Sequence, residues 1–295
     1  MWFLKQRVAE LSRITERFRT IPSVSESLQF KPEKDELRYQ KNGFTVIAHR
    51  GASAYAPENT IPAFKEALLM GADMIELDIL PSRDNVPMVL HDPELKRTTN
   101  GNGNLKNFTA AELKELDAGY WYSSKFKGVT IPELQEVLEW ASGKIAINIE
   151  IKPEAVTDSL SGSVTEAALQ QVKEFGMEHD VVFSGFDLRM IRQIKEAEPE
   201  MICHLLYSRQ QIKKNGLIDL LNDYRAVGMN LKSNQLFPRW LDEAKNAGAK
   251  LWVYTINDSK QMRYLIKQGV NGIFSDRPDL LRKVADEMLG DAIQK

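Results

Sequence analysis

From residue 44 onward, short apolar runs with strand-like character alternate with stretches of helical periodicity, and that rhythm admits few folds. The strand-like runs cover residues 44–49, 74–79, 86–91, 145–151, 181–184, 202–206, 226–230, 251–256 and 272–275. Helical spacing of apolar residues fills 61–70, 163–175, 188–197, 236–247 and 260–268, several of these stretches closing at a glycine such as Gly71, Gly176, Gly248 or Gly269. Strands separated by helices are joined by crossovers and lie parallel. Closed on itself, such a sheet is a (β/α)8 TIM barrel in the α/β class. Nine candidate strands exceed eight staves by one, and the link from Ile79 to Val86 is too short for a crossover helix. Either the run before His91 forms a hairpin with the preceding strand or one crossover lacks its helix. A slightly irregular barrel is expected, and the periodicity does not choose between the two forms.

Polar residues at the ends of these runs point to chemistry. In Ile147-Asn148-Ile149-Glu150-Ile151-Lys152 the isoleucines occupy one face of a strand, and Asn148, Glu150 and Lys152 occupy the other. Glu76 and Asp78, two residues apart in Met74-Ile75-Glu76-Leu77-Asp78-Ile79, also share a face. Burying such carboxylates unpaired would cost several kcal/mol, so a metal or an opposing cation is expected beside them. His49-Arg50 and His91-Asp92 end two further runs, and barrel active sites gather at strand C-terminal ends.

The balance of 39 basic against 41 acidic residues leaves no global field that would draw in nucleic acid, so any anion binding must be local. The one cysteine, Cys203, excludes an intramolecular disulfide and is compatible with a reducing compartment. Trp2-Phe3-Leu4 meets Lys5, Gln6 and Arg7 too soon for the apolar core of a signal peptide, and no stretch approaches a membrane span. A cytoplasmic protein is expected.

Residues 1–43 read as an N-terminal helical extension and linker ahead of a barrel domain at 44–295. Leu4, Val8, Leu11, Ile14, Phe18 and Ile21 share a helical face. That face could close the barrel floor, pair in a homodimer or touch an anionic membrane weakly. Residues 92–130 interrupt the barrel rhythm with the turn-rich Thr99–Asn104 stretch, the capping box Thr109-x-x-Glu112 and the aromatic Tyr120-Trp121-Tyr122. They read as a small inserted subdomain after the third strand, placed at the barrel mouth as a lid or substrate-selecting cap.

Seven ordered motifs carry a resemblance. They are Val46-Ile47-Ala48-His49-Arg50-Gly51, Pro57-Glu58-Asn59-Thr60, Gly71 to Asp78, Val89-Leu90-His91-Asp92, Arg97-Thr98-Thr99-x-Gly101-x-Gly103, Asn148 to Lys152 and Asp276-Arg277-Pro278. Together they resemble the glycerophosphodiester phosphodiesterases of the phospholipase C-like phosphodiesterase superfamily, over essentially residues 45 to 280. The resemblance implies a barrel with a small insertion, one divalent cation, and hydrolysis of glycerophosphodiesters to sn-glycerol 3-phosphate and an alcohol. It also implies that Glu76, Asp78 and Glu150 are metal ligands and that His49 and His91 are the acid/base pair. Oxygen ligands suit Mg²⁺ or Ca²⁺ better than zinc.

Arg50 and Lys152 can neutralise the charge of a phosphate, and Glu58 and Tyr254 are further candidates for substrate binding. Two departures from the family pattern, Tyr254-Thr255-Ile256-Asn257 and Ser184-Gly185-Phe186, bear on head-group preference, whereas Ser82-Arg83-Asp84-Asn85 keeps a residue that tolerates a left-handed turn. The expected substrates are water-soluble diesters such as glycerophosphocholine or glycerophosphoethanolamine. A lysophospholipase D using the aromatic insertion is the alternative enzyme, and a non-catalytic phosphodiester- or partner-binding barrel is the alternative of another class.

Overall fold

The computed structural model describes residues 43–206 and 216–290. The helix expected within residues 1–43 lies outside the described residues. In chain order the main elements are β1 (Thr45–Ala48), α1 (Ile61–Leu69), β2 (Met74–Pro81), β3 (Pro87–Val89), α2 (Ala110–Lys114), α3 (Leu134–Ala141), β4 (Ala146–Ile151), α4 (Val164–Glu174), β5 (Val181–Gly185), α5 (Leu188–Ala197), β6 (Ile202–Leu206), α6 (Leu217–Tyr224), β7 (Gly228–Lys232), α7 (Pro238–Ala247), β8 (Lys250–Tyr254), α8 (Ser259–Gln268), β9 (Gly272–Ser275) and α9 (Pro278–Gly290).

Eight strands run parallel in the ring order β1-β9-β8-β7-β6-β5-β4-β2, and β1 pairs with β2 to close a TIM barrel. The ninth strand resolves the ambiguity of the short Ile79–Val86 link: β3 pairs antiparallel with β2, with Ile79 opposite Val89 and Leu80 opposite Met88. A hairpin needs no crossover helix, so six residues suffice. Its turn is built by Ser82, whose hydroxyl donates to Asp84 Oδ1 (2.6 Å) and accepts from Val86 N (2.9 Å). Asn85 takes the left-handed conformation there at φ 61°, which asparagine tolerates better than most side chains.

The alternating pattern of the strands explains where the core ends and the polar site begins. Ile47, Met74, Ala146, Val182, Ile202, Trp252 and Phe274 form one buried cluster. Residues two positions further along point the same way, and in this chain they are His49, Glu76, Asn148, Ser184, His204, Tyr254 and Asp276. An apolar plug is therefore capped by a polar layer, strand by strand. The opposite faces carry side chains such as Ile147, Ile149 and Ile151, all fully buried against the surrounding helices. A buried side chain of that size contributes about 1.5–3 kcal/mol relative to exposure.

The amphipathic crossovers follow the same logic: α5 buries Met190, Ile191 and Ile194 along one stripe, and its N-cap Asp187 accepts from Arg189 N at 3.1 Å. At the floor, Asp73 Oδ2 accepts from Val46 N (2.8 Å) and Arg282 Nη2 (2.5 Å), linking α9 to the β1–β2 joint.

The inserted segment contains the capping box read from the sequence, with Glu112 N donating to Thr109 Oγ1 (3.3 Å) and Thr109 N to Glu112 Oε2 (2.7 Å). Asp117 gathers the amides of Gly119, Tyr120 and Gly128, which folds the aromatic stretch into a tight turn. Tyr120 and Trp121 remain exposed. No described helix is long and apolar enough to cross a membrane.

Candidate active site

At the C-terminal end of the strands lies a cavity of about 270 Å³ whose wall includes His49, Arg50, Glu76, His91, Asn148, Glu150, Lys152, Asn230 and Tyr254. Glu76 and Asp78 from β2 and Glu150 from β4 converge so that one carboxylate oxygen of each lies within 4.8 Å of the others. Register makes this inevitable, because Asp78 pairs with Glu150 and Glu76 with Asn148.

Two cations neutralise part of the cluster. Lys152 Nζ donates to Glu150 Oε1 at 2.8 Å and to Asp78 Oδ1 at 3.3 Å, and Arg50 Nε stands 3.5 Å from Asp78 Oδ2. Asn59 adds an amide, its Nδ2 donating to Asp78 Oδ2 at 2.9 Å. These partners hold Asp78 below its usual range despite burial. Glu76 is served differently. Its Oε2 accepts from the backbone N of Arg50 at 2.8 Å, while burial and then the charges of Asp78 and Glu150 push its pKa up to about 8. A buried triad of hard oxygens in which the third negative charge is held back only for want of another cation is a fitting donor set for a divalent cation of the Mg²⁺ or Ca²⁺ type.

The turn after β1 is shaped to deliver Arg50. Arg50 has φ 55° and Gly51 φ 81°. A Cβ on Gly51 would stand 2.7 Å from the Ala63 carbonyl carbon, so only glycine lets the loop press against α1. The amide of Arg50 is thereby aimed at Glu76.

Each histidine on the wall has its Nδ1 occupied by a carboxylate. His49 Nδ1 donates to Asp276 Oδ1 at 2.7 Å, and Asp276 also receives Ser53 Oγ (3.0 Å) and Asn257 Nδ2 (2.6 Å). His91 Nδ1 donates to Asp92 Oδ1 at 2.5 Å. With Nδ1 engaged, Nε2 is the nitrogen each ring has left for proton transfer. Their surroundings differ. Burial opposes protonation of His49, but the Asp276 hydrogen bond and the Glu76 charge outweigh it and raise its pKa. For His91, burial together with the Arg50 and Lys152 charges outweighs Asp78 and Asp92 and lowers it.

The far wall combines neutral amide and hydroxyl groups with the Lys232 side chain. Asn148 Nδ2 donates to Ser184 Oγ at 2.9 Å, and His204 Nδ1 lies 2.9 Å from Asn230 Oδ1. Asn148 Oδ1, Asn230 Nδ2 and Tyr254 Oη are buried without a hydrogen-bond partner, and their residues line the cavity.

Of the residues singled out in the sequence, His49, Arg50, Glu76, His91, Glu150, Lys152 and Tyr254 share this wall, with Asp78 directly behind it. Glu58 does not line the cavity: its two oxygens are taken by Arg50 and Arg97. His204 packs against Trp252 with ring centroids 4.0 Å apart. The sequence reading assigned no role to Asp276, Asp92, Arg97, Asn148 or Asn230. The two-residue period would have found Asp276 from Phe274. The others depend on neighbours distant in the chain.

The sequence pattern of the glycerophosphoryl diester phosphodiesterase family matches residues 49–280. A glycerophosphodiester phosphodiesterase of Caldanaerobacter subterraneus subsp. tengcongensis is 38% identical over 240 residues, covering 80% of this chain and 95% of that protein. Among solved structures, a glycerophosphodiester phosphodiesterase from Agrobacterium tumefaciens superposes with a TM-score of 0.71 at 31% identity, covering 81% of this chain and 99% of its own. An Oleispira antarctica phosphodiesterase in complex with the product sn-glycerol-3-phosphate gives a TM-score of 0.73 at 30% identity, covering 81% and 96%.

Proposed function

Since the chain belongs to the glycerophosphoryl diester phosphodiesterase family, we propose that its cavity hydrolyses water-soluble glycerophosphodiesters, such as glycerophosphocholine or glycerophosphoethanolamine, to sn-glycerol 3-phosphate and an alcohol. The observation that carries this reading is the presence of two imidazoles, each with its Nδ1 held by a carboxylate, on the cavity wall beside the three-carboxylate cluster.

A phosphodiester resists attack because its anionic oxygens repel nucleophiles and its alkoxide is a poor leaving group. Arg50 and Lys152 offer positive charge to the phosphate from two sides of the wall. Glu76, Asp78 and Glu150 would hold one Mg²⁺ or Ca²⁺, which when bound supplies Lewis-acid polarisation of phosphoryl oxygens. One histidine accepts the proton of the attacking hydroxyl through Nε2 as the new P–O bond forms. The other donates a proton to the departing alkoxide oxygen as the old P–O bond breaks, and such proton transfers are typically worth about a hundred- to ten-thousand-fold.

The nucleophile in this reading is the substrate's own glycerol hydroxyl, giving a cyclic phosphate that water opens in a second step. The unpartnered Asn148 Oδ1, Asn230 Nδ2 and Tyr254 Oη support it. They offer one acceptor, one donor and one group that can do either, which a vicinal diol can satisfy. Phe186, Leu206 and Phe274 are the minority apolar part of a wall made mostly of polar and charged residues, and that polar majority favours a small polar alcohol over an acyl chain.

The test is release of sn-glycerol 3-phosphate from glycerophosphocholine with Mg²⁺, with Ca²⁺ and with chelator, beside Glu76→Ala and His49→Ala. Metal-dependent release lost in both variants is expected. Faster turnover of micellar lysolipid would replace the soluble substrate by a lysophospholipid. Hydrolysis of bis(p-nitrophenyl) phosphate, which has no neighbouring hydroxyl, at the rate of the glycerol diesters would sink the internal attack. No release from any diester would leave the binding-only barrel as the reading to pursue.

A further inference from the structure

The motif Arg97-Thr98-Thr99-x-Gly101-x-Gly103 lies in the inserted segment and has no part in the chemistry above. Its first residue is tied to both sides of the site. Arg97 Nη1 and Nη2 donate to Glu58 Oε2 and Oε1, each at 2.8 Å, and Arg97 Nε donates to Asp92 Oδ2. Asp92 Oδ1 accepts from His91 Nδ1 at 2.5 Å. Glu58 Oε1 accepts in addition from Arg50 Nη1 at 2.8 Å. An unbroken run of charge-assisted hydrogen bonds thus joins the His91 imidazole, through Asp92, Arg97 and Glu58, to the Arg50 guanidinium.

The rest of the motif braces that arginine. Leu95–Arg97 forms a 3₁₀ turn whose Leu95 is fully buried. Thr99 Oγ1 donates to Leu95 O (2.7 Å) and accepts from Gly101 N (2.9 Å), and Leu95 N donates to Gly103 O (2.9 Å). At Gly101 a Cβ would stand 2.7 Å from Leu116 Cδ1. The backbone carrying Arg97 is therefore closed on itself and packed, which is what a positioning device needs.

We propose that Arg97 is a positioning residue for the phosphodiesterase reaction, fixing Asp92 and Glu58 so that His91 and Arg50 are set relative to one another before substrate arrives. A planar fork with donors on two edges grips Glu58 with two parallel hydrogen bonds while its Nε bonds Asp92, a fixed three-bond geometry that a lysine ammonium does not reproduce. Arg97 does not line the cavity, so its effect passes through groups that do. The inserted segment then acts as a buttress of the site, whatever it also does for access.

The inference rests on the phosphodiesterase reading of the site, and the experiment keeps the two apart. Initial rates on glycerophosphocholine with added divalent cation are measured for the wild type, Arg97→Ala and Arg97→Lys, with melting temperatures and a titration of guanidinium at concentrations too low to denature. For Arg97→Ala we expect kcat to fall roughly 10- to 100-fold while KM stays within about threefold, the range typical of groups that orient catalytic residues. Guanidinium should restore part of that kcat in Arg97→Ala and none in the wild type, and Arg97→Lys should recover less than guanidinium does. An active wild type with an unimpaired Arg97→Ala, or a loss expressed only in KM, overturns the positioning role and leaves the reaction intact. A loss that tracks a fallen melting temperature and ignores guanidinium overturns it equally. A wild type that cleaves no diester overturns both readings.

Discussion

His91 and Asp92 are consecutive residues, whereas His49 reaches Asp276 across 227 positions of chain. The two pairs have the same chemistry, an imidazole Nδ1–H donating to a carboxylate, but they are assembled by different means. The first is a local turn, steadied from the inserted segment by Arg97. The second joins the strand that opens the barrel to the strand that ends it, with β1 and β9 paired and His49 N donating to Ser275 O at 3.0 Å. Asp276 draws its other partners, Ser53 and Asn257, from neutral groups. Equal geometry therefore hides unequal dependence on the rest of the fold.

The bluntest way to break the comparison is to remove either ring. His49→Ala and His91→Ala should each lower kcat about a hundred- to ten-thousand-fold, and the double variant should lose little more than the worse single one, as for residues that act as a unit. Strictly additive losses in steady-state rates would show that the two do not serve one proton-transfer sequence.

A third buried imidazole sharpens the contrast. His204 has an amide, Asn230, where the other two have carboxylates, and burial lowers its pKa to about 4. The unfolded chain takes this proton near pH 6.5 and the folded one only near pH 4. Between those values the unfolded state binds more protons, so stability falls as pH falls, by about 3 kcal/mol for this group. Asn230→Asp should reduce that loss in a series of denaturant melts, and an unchanged pH slope would show that the partner does not set the imidazole.

The carboxylates come next. Asp276→Asn and Asp92→Asn should each cost roughly 10- to 100-fold in kcat. Only Asp276→Ala should also cost about 1–3 kcal/mol of stability, because it strands three donors. Equal unfolding midpoints for Asp276→Ala and Asp92→Ala would erase the proposed difference in wiring. The smallest effect is that of Ser53→Ala, expected to lower kcat a few-fold and stability by about 1 kcal/mol or less, the scale of one hydrogen bond. A larger loss would mean that Ser53 touches substrate.

The contrast also explains what could be read from the amino-acid order alone. Strand alternation marks Glu76 with Asp78, and Asn148 with Glu150 and Lys152, because a two-residue period is a local property. Parallel pairing of β2 with β4 then brings the carboxylates together. His91-Asp92 is visible as adjacent letters. Nothing local says that Asp276 belongs with His49, since that pairing exists only once the ring closes. Nor does the sequence show Arg97 lying between Glu58 and Asp92, which depends on how residues 93–105 fold back. The hairpin at Ile79–Val86 stayed ambiguous because six residues exclude a helix without selecting a turn.

The junction of first and last staves has a further consequence. A piece of chain ending after β4 would carry both histidines, all three clustered acids, Arg50 and Lys152, yet it would lack the carboxylate that orients His49 and the far wall of the cavity. Chemistry in this molecule is thus a report on circumference. Two separately made halves should be silent alone and regain turnover only when they meet as a complete ring, which would make the enzyme its own split reporter.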